Sequence, residues 1–322
     1  MFKFSKKKKY FNNPSFFLIL IAIVVASCQL IFNTTATNQQ LSTINQQLST
    51  KFNDYWYKGK AEISSYKMSI DRYDEIRKGY NILVFVTEDF SKTKQVKLDN
   101  PQYDPNDKIS VLKLNSVQRF QTGIYDYSLM SSIFTPVIFD QNVHSLKNNL
   151  SVQDWCGHVF TQLNTESDKG NYKMTSFSYF EQEGDKNESF KTDILEDELF
   201  TRLRINPDGI KTGNIMAVPA LYFSRLRHVT LKPFSAELNF SDLNDSTRQC
   251  ELKYPTLDRT LSIYFSKNFP YYINGWKEVY RGKTLAMAQR NKMLMSDYWA
   301  KHAIKFDSLR TELGLNPIKS EK

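Results

Sequence analysis

Between Lys60 and Phe265 this chain delivers one strand-like run after another, with no helix regularly placed between them. That order constrains the fold more than any other feature. Parallel neighbours need a crossover of about a dozen residues or more, usually a helix, whereas antiparallel neighbours need only a turn. The runs are Lys60–Ile70, Tyr80–Phe90, Gln95–Leu98, Val111–Val117, Ser131–Phe139, Ser151–Leu163, Tyr172–Glu181, His228–Phe240, Arg248–Tyr254 and Thr260–Phe265. All are rich in β-branched and aromatic residues, and polar or glycine-bearing stretches such as Asp71–Gly79 separate them. In Val111–Val117 apolar and polar residues alternate, the mark of one buried face and one wet face. The spacing predicts a β-rich α+β fold: a large curved antiparallel sheet, an open barrel or clamshell, with one or two helices packed on it.

Two segments have helical spacing. Asp193 and Glu196 make a capping box, Leu195, Leu199 and Leu203 follow one turn apart, and Asn206-Pro207-Asp208-Gly209 ends the pattern. Met295, Trp299, His302, Phe306, Leu309 and Leu313 form an apolar stripe that predicts an amphipathic helix over Asp297–Leu313, closed by Gly314 and Pro317.

The first residues read as a targeting segment. Lys3 and Lys6–Lys9 precede an apolar run from Phe16 to Ala26, too short for the ~20 residues that cross a bilayer as a helix. The run ends in Val25-Ala26-Ser27-Cys28, which resembles the lipobox of bacterial lipoprotein signal peptides. Small residues before the cut admit the backbone to an intramembrane protease, and the Cys28 thiol takes the diacylglycerol. Several acyl chains, at ~0.8 kcal/mol per buried methylene, would then hold the protein on the bilayer. An uncleaved anchor is the alternative, since Leu30, Ile31 and Phe32 extend the apolar stretch; either way the positive flank stays inside and the body faces outward. The expected organisation is a signal peptide over 1–27, a polar tether over 28–52 and one globular domain over 53–322. Within the tether, Asn-Gln-Gln-Leu-Ser-Thr occurs at 38–43 and again at 45–50, too few heptads for a coiled coil. The expected location is the cell envelope, on the outer or inner membrane, with the body in the periplasm.

Removing the leader takes away Lys3 and Lys6–Lys9 and no acid, so the mature chain keeps +4 of the formal +9. Its basic residues are scattered among acids, which argues against a nucleic-acid partner. The sequence leaves open whether Cys156 and Cys250, the cysteines beyond Cys28, form a disulfide.

Sequence motifs for phosphate loops, dinucleotide turns, nucleophile elbows and metalloprotease helices are missing, and His144, His158, His228 and His302 lie at no metal-ligand spacing. No cofactor or metal is therefore expected. Asp154-Trp155-Cys156-Gly157-His158 looks most like chemistry, and its Trp-Cys-Gly-His resembles half of a thioredoxin-type motif. Val159 replaces the resolving cysteine, so dithiol exchange has no second thiol. On a strand, Asp154, Cys156 and His158 would share one face as carboxylate, thiol and imidazole, the ingredients of an activated nucleophile. The acids Glu181, Glu183 and Asp185 are candidates to face that row, although a solvated turn explains them as well. The rings of Phe177, Tyr179, Phe180, Phe269, Tyr271, Tyr272, Trp276, Tyr298 and Trp299 are either core or the wall of an apolar cavity.

The lipobox, Tyr-Trp-Tyr-Lys-Gly-Lys-Ala-Glu-Ile from Tyr55, Phe-Val-Thr-Glu-Asp-Phe from Phe85, Asp-Trp-Cys-Gly-His-Val-Phe from Asp154 and Ser-Tyr-Phe-Glu from Ser178 together resemble a family of Bacteroidota lipoproteins. Some of its members carry the label septum formation inhibitor Maf. True Maf proteins are cytosolic nucleotide pyrophosphatases with an early Ser-Pro-Arg-Arg motif and an α/β fold, and neither is visible here. The resemblance therefore implies an envelope lipoprotein and brings no active-site residues. The leading expectation is a non-enzymatic lipoprotein, held to the bilayer through acylated Cys28, that binds an acyl chain or an envelope protein. The alternatives are an envelope hydrolase or thiol-dependent transferase using Cys156, His158 and Asp154, and a subunit of an envelope assembly.

Overall fold

The computed structural model describes residues 46–316 except 101, 103, 140–142 and 168, so the leader and Cys28 lie outside the described residues. The body begins at Lys51, within the helix α1 (46–56). No helix among the described residues is long and apolar enough to cross a membrane.

The chain lays down β1 (Ala61–Arg72), β2 (Glu75–Ser91), β3 (Lys108–Thr122), β4 (Tyr125–Pro136), β5 (Lys147–Asp154), β6 (Gly157–Ser167), β7 (Asn171–Ser178) and β8 (Lys186–Lys191) as an unbroken antiparallel meander. After β9 (Ile194–Leu195) come a 3-10 turn (Glu196–Glu198) and α2 (Leu199–Ile205). Then follow β10 (Gly213–Val218), α3 (Leu221–Arg227), β11 (Phe234–Asp242), β12 (Thr247–Tyr254), β13 (Arg259–Ser266), β14 (Ile273–Tyr280), β15 (Lys283–Ser296) and α4 (Ser308–Glu312). Pairing of β1 with β15 joins the halves into one 15-stranded sheet, with β8 and β9 at its two edges. Every pair is antiparallel except β9–β10, so the sheet is mixed. The β-rich class and the large curved sheet expected from the sequence are what the chain forms, with four helices among the described residues rather than one or two.

The curvature follows from the connection. Only Thr192 and Asp193 separate the edges β8 and β9, so those edges stand within about 10 Å of one another where the chain crosses. Thr192 ties the crossing to both sides: its N–H donates to the Gly170 carbonyl beside β7 at 2.9 Å and its hydroxyl to the Met216 carbonyl of β10 at 2.8 Å. The concave side is filled by α2, whose Leu199 and Leu203 are fully buried among Leu83, Leu112, Leu129, Ile263 and Trp276.

Several readings need correction. Ser151–Leu163 is two strands, because Trp155 and Cys156 form a tight turn between Asp154 and its partner Gly157. His228–Phe240 becomes a strand only at Phe234, since His228 caps α3 in a left-handed conformation. Gln95–Leu98 contributes a single bridge, Phe90 to Lys97. The amphipathic stripe is no continuous helix: Met295 belongs to β15, short 3-10 turns follow, and α4 spans only Ser308–Glu312. Trp299 and His302 are exposed, while Leu313 and Leu315 cover Ala61, Ile63 and Val86 on the convex face of the sheet. The stripe fits a helix by spacing alone; pairing with β1 holds the chain extended as far as Ser296.

Candidate functional site

Two arginine clamps fix the helix inside the sheet. Arg204 of α2, fully buried, makes a bidentate pair with Glu62 of β1 at 2.5 and 2.6 Å and donates Nε to the Pro270 carbonyl at 2.8 Å. Its guanidinium lies 4.9 Å from the ring centres of both Trp56 and Phe85. The Tyr55 hydroxyl donates to Glu62 Oε2 at 2.5 Å, completing the carboxylate's set of donors. Arg259 of β13 grips Glu196 at 2.5 and 2.6 Å and also donates to Glu278 at 2.8 Å. Burial, then the neighbouring charges of Glu196 and Asp197, holds the Glu278 carboxyl well above its ordinary range. Its Oε1 has no hydrogen-bond partner among the described residues. Burial pushes Asp197 up to about 6, against the Asn148 amide that donates to it at 2.7 Å. Asp197 and Glu278 wall a chamber of about 50 Å³ whose remaining lining includes Met68, Leu83, Leu129 and Trp276.

A larger space opens where the turns β1–β2, β3–β4, β5–β6 and β14–β15 gather. It measures about 530 Å³, and Arg72, Tyr127, Cys156, Arg227, His228 and Arg281 are among the residues that line it. Arg72, the last residue of β1, is 9% exposed. It donates to the Leu226 carbonyl at 2.7 Å and the Tyr127 hydroxyl at 3.1 Å, and its Nε has no partner among the described residues. No carboxylate of the described residues lies within ion-pair distance of it, whereas Arg227 has Asp71 at 3.2 Å and Arg225 has Glu183 at 3.0 Å. The hydroxyls of Tyr73 and Tyr127 meet at 2.8 Å, and that of Tyr125 reaches Tyr73 at 3.3 Å. Burial works to raise the Tyr73 phenol, but hydrogen bonds from Tyr125 and Tyr127 and the charge of Arg72 outweigh it and leave the group lowered.

The turn chemistry at this rim is unusual. Tyr73 and Asp74 hold φ of 59° and 58°, the left-handed pair of a two-residue hairpin turn that normally carries Asn-Gly. His228 at 52° and Arg281 at 51° are left-handed too, and all four line the same cleft. Backbone held in such regions by side-chain-bearing residues clusters at functional sites.

The row proposed for Asp154, Cys156 and His158 is not assembled. Asp154 Oδ1 accepts the N–H groups of Cys156 and Gly157 at 2.7 and 3.2 Å, forming the β5–β6 turn. Cys156 is exposed and lines the cleft, but His158 points along the hairpin to the Ser151 hydroxyl at 3.0 Å. The imidazole sharing the cleft with Cys156 is that of His228, which contacts Glu183 at 3.2 Å; no hydrogen bond joins it to the thiol. Cys250 is buried in β12, its thiol pushed up to about 12 by burial, and both cysteines are free. Of the three acids after β7, Glu183 turns to α3, Asp185 accepts the Ser178 N–H and Glu181 is exposed. The aromatic residues do not form one wall either: Trp276 is core, while Tyr179 is 74% and Trp299 52% exposed. No cluster of three or more metal-ligating side chains occurs among the described residues.

Sequence reading missed Arg72, the tyrosines around it and the Arg225–His228 corner. The available signal was Asp71-Arg72-Tyr73-Asp74, four polar or amphipathic residues at the end of β1 and in its turn to β2. No protein-family model, curated protein or solved structure matches this chain.

Proposed function

We propose that this chain is a lipid-anchored, periplasm-facing binding protein, non-enzymatic, that takes a small ligand in the cleft at the turn end of its sheet. The cleft carries the reading. At about 530 Å³ it falls within the roughly 300–1,000 Å³ typical of ligand sites, whereas the chamber beside α2 offers about 50 Å³. An acyl chain has no room in the chamber beside α2. The lipobox ending at Cys28 and the resemblance to envelope lipoproteins support the anchor and the compartment.

The test is mass spectrometry of the protein purified in mild detergent, native and then denatured. We expect acylated Cys28 with residues 1–27 removed, and an extra non-covalent mass of a few hundred daltons in the native spectrum. A species retaining the leader would refute the anchor; a bare native mass, or a stoichiometric protein companion, would refute the small-ligand reading.

A second reading rests on Cys156 and His228 lining one cleft. A thiol-dependent transferase needs a thiolate with a base in reach. Alkylation of Cys156 at a rate that drops when His228 is replaced by Gln would favour it; an unchanged rate would end it.

A further inference from the structure

We propose that the rim cleft recognises an acidic sugar, a carboxylate or phosphate on a polyhydroxylated ring, with Arg72 as the counter-ion. This rests on the binding reading above and gives its ligand a chemical class.

Arg72 is the central observation. An arginine nine-tenths buried without a carboxylate is costly, because buried charges are normally paired. Here a carbonyl and two phenols hold its Nη atoms, and Nε remains unpartnered. Dipoles orient the group without cancelling its charge. An anionic oxygen arriving in the cleft would provide that cancellation through charge-assisted bonds, to which arginine geometry is suited for carboxylate and phosphate alike.

The rest of the lining argues for hydroxyl groups beside the anion. Asp74 and Asp154 also face this space, and ionised carboxylates accept hydrogen bonds from hydroxyls. A wholly anionic ligand such as a polyphosphate would meet those acids unfavourably; one with a single acidic group and several hydroxyls would not. Arg227 and Arg225 are already neutralised by Asp71 and Glu183, so Arg72 and the exposed Arg281 are the cations left for the ligand. Flat surface is available at the margin: Trp155 is 68% exposed with its ring 6.4 Å from that of Tyr125, whose hydroxyl reaches Tyr73. Amphipathic rings of this kind offer an apolar face to a sugar while their polar edges stay wet.

The experiment titrates the full lipoprotein in detergent with glucuronic acid, glucose 1-phosphate, glucose and inorganic phosphate, by calorimetry. We expect both acidic sugars to bind at least about tenfold more tightly than either glucose or phosphate alone. Arg72→Gln should remove roughly ten- to hundredfold of the affinity for the acidic sugars and leave glucose unaffected. Trp155→Ala, at an exposed turn, should weaken all sugars by a similar factor without changing the melting temperature, so the idea is testable even where Arg72→Gln fails to fold. Glucose binding as tightly as glucuronic acid, phosphate binding as tightly as its sugar ester, or affinity indifferent to both variants would overturn the proposal. If no probe binds while the native mass spectrum carries a ligand, the ligand class is wrong and the binding reading stands. No probe binding and a bare native spectrum would fail both.

Discussion

Glu62 and Arg204 meet where neither side chain touches water, so each depends on the other for its charge. Removing one partner of such a pair costs about 3–5 kcal/mol, whereas replacing both with apolar residues of similar size is often close to neutral. Glu62→Ala should therefore lower the urea-derived unfolding free energy by about that amount, and Glu62→Leu combined with Arg204→Met by much less. Equal losses would show that the guanidinium finds another acceptor. Asp197 gives the residue scale a pH dependence. Its folded pKa of about 6 lies above the unfolded value near 3.8, so between them the folded state binds the extra proton. Its contribution is fully present below pH ~3.8 and is lost as pH rises through about 6. Asp197→Asn, which removes the titration, should remove a fall in stability between pH 4 and 7 that the parent shows. If the difference between variant and parent is flat across that window, the buried carboxyl is not the source.

At the scale of elements, Gly79 sits where two paired strands approach closely. A Cβ on Gly79 in β2 would meet the Arg119 carbonyl oxygen at 2.3 Å and Phe120 Cβ at 2.8 Å. Gly79→Ala should push β3 away and cost about 1–3 kcal/mol by thermal melt. A melting temperature unchanged from the parent would mean the strands part freely. From the sequence Gly79 closed a charged loop, because six of the nine residues of Asp71–Gly79 are charged. In the sheet it is strand, since β2 runs past its buried half and pairs Glu75–Gly79 with Met68–Arg72. The same cause explains much of what periodicity left unread. The central runs around Ile70, Phe85 and Leu114 bury one face and declare themselves. The edge strand β8, exposed almost throughout, and the central β15, with its lysines and methionines, are extended only because neighbours supply the ladder. The site was less legible than the fold. Asp154 and Cys156 were marked for chemistry and do reach the cleft, but the turn between β5 and β6 breaks the alternation that would have aligned His158. Arg72 carries no motif; its meaning comes from Tyr127 and Leu226, far away in sequence.

Across the whole molecule, the order of elements makes the two half-sheets interdependent. The strands β1–β8 form one meander and β10–β15 the other, and each could in principle be a module. Yet the 3-10 turn and α2, which begin the second half in sequence, spend their polar groups on the first. Arg204 holds Glu62 of β1, the Thr201 hydroxyl meets that of Thr135 at the end of β4, and Asn148 of β5 donates to Asp197. Just before β5, the Ser145 N–H donates to Glu198 at 2.9 Å. Losing either half would strand these buried groups at a cost of several kcal/mol and open the central β1–β15 ladder, which pairs Ala61 with Ser296. The body should therefore unfold as one cooperative unit, with far-ultraviolet dichroism and tryptophan fluorescence giving coincident urea transitions. Such long-range pairing also predicts slow refolding, in the millisecond-to-second range or beyond. Trp155 reports the rim and Trp276 the core, so single-tryptophan variants would read the two regions separately. A transition at Trp155 well before that at Trp276 would show that the rim opens while the core survives. Binding an acidic sugar would then have to close a loosened site, and the titration would show a larger unfavourable entropy than a preformed cleft requires.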